Sequence, residues 1–142
     1  MMKLSTKTTY ALRALIHLVR YSNGKPENLH TVSQRQNIPL PYLEQIFSKL
    51  KKADLVTAIR GPRGGFQISK PLDEINLFMI ITALEGPFEP MLCSYPENQS
   101  SNCHEIAGCL SQTICNELDG AVMNILSNKT LGKICQEAAR MH

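Results

Sequence analysis

A chain of 142 residues with 43% hydrophobic and 19% charged residues has the length of one ordinary domain, or of a compact domain with a dimerisation extension, but not of two independent domains. That balance excludes wholesale disorder and a collagen-like repeat. The net charge of +3 conceals an asymmetry: residues 1–70 hold 12 Lys and Arg against Glu27, Glu44 and Asp54, whereas residues 71–142 hold 3 against 9 acids, so a +9 half is joined to a −6 half. A basic half points to a polyanionic partner, commonly nucleic acid, although a charge run also serves as an ordinary solvated face.

The first element is a helix capped by Thr6 or Thr8, with Ala11, Leu12, Leu15, Leu18 and Val19 recurring at helical steps until Asn23-Gly24. Lys3, Lys7, Arg13 and Arg20 interrupt the apolar positions of the first twenty residues, so no signal-peptide core or membrane span can be drawn, and a cytoplasmic protein is expected. Residues 29–36 read as a short second helix led by Thr31 and broken by Asn37-Ile38-Pro39. From Pro41, the positions of Leu43, Ile46, Phe47 and Leu50 mark the apolar face of a third helix. Two short helices across a tight turn predict a helix-turn-helix.

Residues 55–59 and 66–69 have strand composition, and the RGPRGG stretch between them must turn, which predicts a β-hairpin, the wing of a winged helix. An apolar helix is expected over 73–85, stopped by Gly86-Pro87. Residues 87–109 are rich in Pro, Ser, Asn and Cys, a loop longer than compact domains normally keep without a function. A long helix over 110–126 carries the stripe Ile114, Leu118, Ala121, Val122, Ile125 and Leu126, which suits a partner helix in a homodimer; a last short helix starts at Thr130. The expected fold is therefore mostly α with a small β-hairpin: a winged helix-turn-helix unit over 1–86, a cysteine-rich loop over 87–109, and a dimerisation helix with a C-terminal helix over 110–142.

Away from its apolar face, the third helix presents Pro41, Tyr42, Glu44, Gln45, Ser48, Lys49 and Lys52. Glu44 can accept from a cytosine amino group and Gln45 can pair with adenine, while Tyr42, Ser48, Lys49 and Lys52 can hold the phosphate backbone; the plain alternative is a solvated helix face. At the hairpin tip, glycines allow close approach while Arg60 and Arg63 project as insertion into a minor groove requires; the alternative is a generic Gly-Pro turn. No Gly-Lys-Ser/Thr follows these glycines, so a Walker phosphate loop is excluded.

Five cysteines are too few for a disulfide scaffold, and their odd number leaves one unpaired. Four of them, at 93, 103, 109 and 115, lie within 23 residues. The spacing lacks the paired knuckles of most zinc sites, but three thiolates with a fourth ligand can hold an iron–sulfur cluster. Metal-free packing or redox-sensitive thiols, or a zinc-held loop, are the alternatives. Cys115 lies 120° around the helix from Cys109, near Ile114 and Leu118, which suits packing in the dimer helix. Cys135 reads as a core thiol, and His17, His30 and His142 gain no ligand role. No catalytic triad, Cys/His pair or carboxylate pair is placed by a local motif, so enzymatic function is not expected.

The segments LSTKTTYALRAL (4–15), PYLEQIFSKL (41–50), RGPRGGF (60–66) and TLG (130–132), together with the loop cysteines, resemble the Rrf2 family of bacterial transcription regulators and its cluster-binding branch. The resemblance implies a dimeric winged helix that binds a double-stranded DNA operator, with Glu44 and Gln45 as the base-reading pair and Arg60 with Gly61 as the wing contact. It implies Cys93, Cys103 and Cys109 as ligands of an iron–sulfur cluster, 2Fe–2S ahead of 4Fe–4S, which senses iron–sulfur status, redox state or nitric oxide. The chain departs from that branch at Pro41, where a Ser is found, and in the nine residues between Cys93 and Cys103 instead of about five. It also departs at the fourth ligand: a His is replaced by Gln112 and an Asp by Thr9, leaving His104, Glu105, Cys115 or a partner-subunit residue as candidates. A protein-interaction module with incidental thiols is the reading from a different class.

Overall fold

The computed structural model describes residues 5–87 and 110–141, with side chains left undescribed at 110–112. Among these residues the chain forms α1 (Thr6–Tyr21), α2 (Leu29–Gln36), α3 (Leu40–Lys52), β1 (Val56–Ile59), β2 (Gly65–Ile68), a 3-10 turn (Leu72–Glu74), α4 (Leu77–Glu85), α5 (Leu110–Asn128) and α6 (Leu131–Arg140). The expected mostly helical architecture with one small hairpin is what is found.

Differences from the sequence reading lie mainly at helix starts. Ser5, and not Thr6 or Thr8, caps α1 by accepting from the Thr8 N–H, and Asn28, not Thr31, caps α2 by accepting from His30. The helix expected over 73–85 is two pieces: the 3-10 turn ends at Glu74, and Asn76 starts α4 by accepting from the Met79 N–H at 2.8 Å. Around that break the backbone pairs across the chain, Leu77 N–H to the Lys129 carbonyl and Leu131 N–H to the Ile75 carbonyl, which sets the start of α6 beside the start of α4. Asn76→Ala is therefore expected to lower unfolding stability by about 1 kcal/mol, read as a shift of the denaturation midpoint, with the secondary structure intact.

The core lies between α1, α2, α3 and α4, with Leu15, Leu18, Val32, Leu43, Ile46, Phe47 and Ile80 essentially without exposure. Phe47, at its centre, sets its ring edge-on to Phe66 of β2 at 5.1 Å, so one aromatic pair fastens the wing to the third helix. Leu131 and Cys135 of α6 belong to the same core, which places the C-terminal helix against α1. Burial pushes the Cys135 thiol pKa upward against the opposing charge of Arg20, in keeping with the core role expected of it.

Between α2 and α3, Asn37 takes the left-handed conformation (φ 54°, ψ 51°) that Asn tolerates, and the Ile38 N–H bonds back to the Ser33 carbonyl. This closes the tight turn of a helix-turn-helix. The strands pair antiparallel, Val56 with Ile68 through Ile59 with Gly65.

Candidate nucleic-acid interface

The third helix is amphipathic, and its burial pattern assigns each side chain a place. Leu43, Ile46, Phe47 and Leu50 face the core, leaving Pro41, Glu44, Gln45, Ser48, Lys51 and Lys52 exposed on the other side. Thirteen residues make a rod of about 20 Å, which the major groove of duplex DNA accepts.

Opposite this face stands the wing. The Gly64 N–H bonds the Gly61 carbonyl at 3.0 Å, closing a turn with Pro62 and Arg63 at its centre, and both Arg60 and Arg63 are exposed. Gly61 has φ +116°, a conformation that disfavours other residues, and a Cβ at Gly64 would lie 2.1 Å from the Ile59 carbonyl oxygen. The tip is narrow because its glycines let the backbone fold onto itself.

Between helix and wing runs an open groove of about 500 Å³. Glu44, Ser48 and Lys51 line it from α3, Gly61, Gly64 and Phe66 from the hairpin, and Asn28 from the cap of α2. The structure thus brings together Glu44, Ser48 and Gly61 of the expected set, with Arg60 and Arg63 exposed on the same hairpin and Lys52 exposed at the end of the same helix.

Tyr42, Gln45 and Lys49 sit on another flank of α3. Together with Lys7 and Leu84 they line a separate small depression. Tyr42 is half-buried with its ring edge-on to Tyr10 at 5.4 Å, and the Lys49 ammonium donates to the Leu84 carbonyl at 3.3 Å. The neighbouring Glu85 carboxylate accepts from the Ser5 and Thr8 hydroxyls, so the end of α4 is tied to both α1 and α3.

Two polar side chains that line the groove, Lys51 and Asn28, were missed by the sequence reading. Lys51 follows Glu44 by seven residues and Ser48 by three, the helical spacing of one face, but in sequence it stands among the lysines of the helix end. Asn28 enters the groove only because it caps α2, an assignment that fell to Thr31 in sequence.

The ligand residues expected for a cluster, Cys93, Cys103 and Cys109, and the candidates His104 and Glu105, lie outside the described residues. Cys115 is described, half-buried on α5. Among the described residues no three His, Cys, Asp or Glu side chains stand together as a metal site, and no helix is long and apolar enough to cross a membrane. His17 is satisfied within the fold, its ring nitrogens bonding Glu27 and Gln36, which agrees with its having no ligand role.

Comparison with known proteins agrees with this geometry. A family model described as Rrf2, an iron-dependent transcriptional regulator, matches residues 4–137. The HTH-type transcriptional regulator IscR of Photobacterium profundum is 33% identical over 136 residues, covering 96% of this chain and 77% of its own. IscR of Vibrio cholerae is 34% identical over the same length, covering 96% and 76%. Among solved structures, CymR, the global cysteine regulator of B. subtilis, superposes with a TM-score of 0.75 at 33% identity, covering 96% of this chain and 98% of its own. IscR of T. potens gives 0.74 at 26% identity, covering 96% and 88%. The chain belongs to the Rrf2 family and is a winged-helix, DNA-binding transcription regulator rather than an enzyme.

Proposed function

We propose that this regulator reads a duplex operator as a homodimer and that Cys93, Cys103 and Cys109 hold an iron–sulfur cluster whose state sets its DNA affinity. The observation that carries the DNA-reading part is the shared groove, with the polar face of α3 on one wall and the arginine-bearing wing on the other. Glu44 and Gln45 read base edges in the major groove, and Ser48, Lys51 and Lys52 grip phosphates. Arg60 and Arg63 enter the neighbouring minor groove beside Gly61, and Tyr42 and Lys49 support the helix from its margin.

Support for a dimer comes from α5. Its stripe divides: Leu126 packs inward, while Ile114, Leu118 and Ile125 are 47%, 45% and 60% exposed. Three large apolar residues at steps of four and seven on one helix suit a copy of the same helix, and a two-fold pair of subunits would set two recognition helices for a two-fold operator. A Leu118→Glu/Ile125→Glu variant is expected to sediment as a monomer with unchanged helical content and to lose operator binding at concentrations where the parent protein is bound.

Support for the cluster comes from the crowding of cysteines into one segment, from the family's description as iron-dependent, and from similarity to IscR. A bound cluster supplies a centre whose integrity responds to iron supply, oxidants and nitric oxide. The fourth ligand is drawn from His104, Glu105, Cys115 or a residue of a second subunit. Lys49 and Glu85 link the end of α4, the helix that precedes this segment in sequence, to α3 and α1.

The test is the visible absorption spectrum with iron and sulfide content, taken on protein purified without oxygen. A brown protein with iron and acid-labile sulfide, bleached by air or nitric oxide, is expected. A colourless protein that cannot be reconstituted would move the assignment to a thiol- or zinc-based switch.

A further inference from the structure

The wing is a two-stranded hairpin, a unit with little stability of its own, so whatever seats it also decides where its arginines stand. One seat is Phe66 on Phe47. A second lies on the free edge of β2, where Glu27, in the connection between α1 and α2, exchanges two backbone hydrogen bonds with Phe66, each 2.9 Å. The approach leaves no slack: Gly65 has φ +148°, and a Cβ there would lie 2.3 Å from the Glu27 carbonyl oxygen.

The Glu27 side chain points the other way, into the protein. Its Oε1 lies 3.0 Å from Nε2 of His17, a residue of α1 only 2% exposed. Nδ1 of the same ring lies 3.2 Å from Nε2 of Gln36, the last residue of α2, whose carbonyl accepts from Arg13. With Gln36 donating to Nδ1, it is Nε2 that carries the hydrogen Glu27 accepts. Glu27 therefore holds the wing through its backbone and the helical scaffold through its side chain.

Its remaining oxygen, Oε2, is buried without a partner among the described residues. Oε1 of the same carboxylate satisfies the buried His17 N–H, so an apolar residue at position 27 would leave that donor unpaired inside the fold.

We propose that Glu27 is a positioning residue for DNA binding: locked to His17, it fixes the seat of the wing and so the placement of Arg60 and Arg63 across the groove from α3. This rests on the reading of the wing as a DNA contact. The test compares dissociation constants for a duplex operator selected from random DNA, using the full chain at fixed salt. Glu27→Ala is expected to weaken binding about tenfold in the otherwise unchanged protein, but less than about twofold when Arg60 and Arg63 are already Ala, because the residue acts through them. Glu27→Gln, which still accepts from His17, should bind within about twofold of the parent. If Glu27→Ala does not fold, Glu27→Asp, whose carboxylate falls short of His17, carries the same comparison. Equal losses in both backgrounds, or no loss in the first, would overturn the proposal while leaving the wing's role intact. An Arg60→Ala/Arg63→Ala protein that binds as tightly as the parent would overturn the wing reading and the proposal with it.

Discussion

Removing Arg60 and Arg63 and removing Glu44 are expected to damage DNA binding in two different ways. The Arg60→Ala/Arg63→Ala protein loses affinity for all duplex sequences, and the slope of log Kd against log salt falls by about one for each arginine that neutralises a phosphate. Glu44→Ala leaves that slope almost unchanged, because a carboxylate releases no counterions from DNA. It instead lowers discrimination at the contacted position by about 1–3 kcal/mol, roughly five- to 150-fold, and relaxes the choice of base there. Salt titrations on the operator and on single-base variants separate the two. Their difference follows from geometry: Glu44 stands on the helix wall of the groove, whereas Arg60 and Arg63 stand exposed on the opposite hairpin.

The second large effect concerns the cysteines. Cys93→Ala, Cys103→Ala or Cys109→Ala, each alone, should abolish the change of operator affinity on cluster loading, which is expected to be worth about 1–3 kcal/mol in the parent protein. Circular dichroism and sedimentation should show each variant folded and dimeric, because the described core is built from α1 to α4 and α6 without these residues. A variant that unfolds would indicate a structural metal. Cys135→Ala should leave loading untouched, since its thiol packs in the core among α1 and α6.

Much of the fold was legible because its boundaries carry strong local chemistry. Asn37-Ile38-Pro39 breaks a helix and RGPRGG turns a hairpin whatever surrounds them, and the structure places both features there. Helix starts were less legible, because Ser5 against Thr6 or Thr8 is decided by which side chain meets a free N–H, a matter of backbone angles. The interruption at Asn76 was hidden among the apolar residues from Ile75 to Ile81; it is set by the Asn76 cap on Met79 together with the pairing of Ile75 with Leu131 and of Leu77 with Lys129, which are far apart in sequence.

At the candidate site, the face of α3 could be read from helical spacing, yet Lys51 was obscured by neighbours of like charge. Tyr42 and Lys49 show the converse: types that suit phosphate contacts turn out to have partners inside the fold, Tyr10 and the Leu84 carbonyl. Glu27 had no local signal at all. Its role depends on residues 10 and 39 positions away, His17 and Phe66, brought together only by the tertiary fold.

The most direct measurement is the Kd of the protein for its selected operator, taken without oxygen on cluster-loaded protein and on the same preparation after the cluster is stripped. A change of at least about fivefold between the two states, with the dimer intact in both, is the predicted result. Identical constants in a protein shown to gain and lose its iron would contradict the claim that the cysteine segment governs DNA binding.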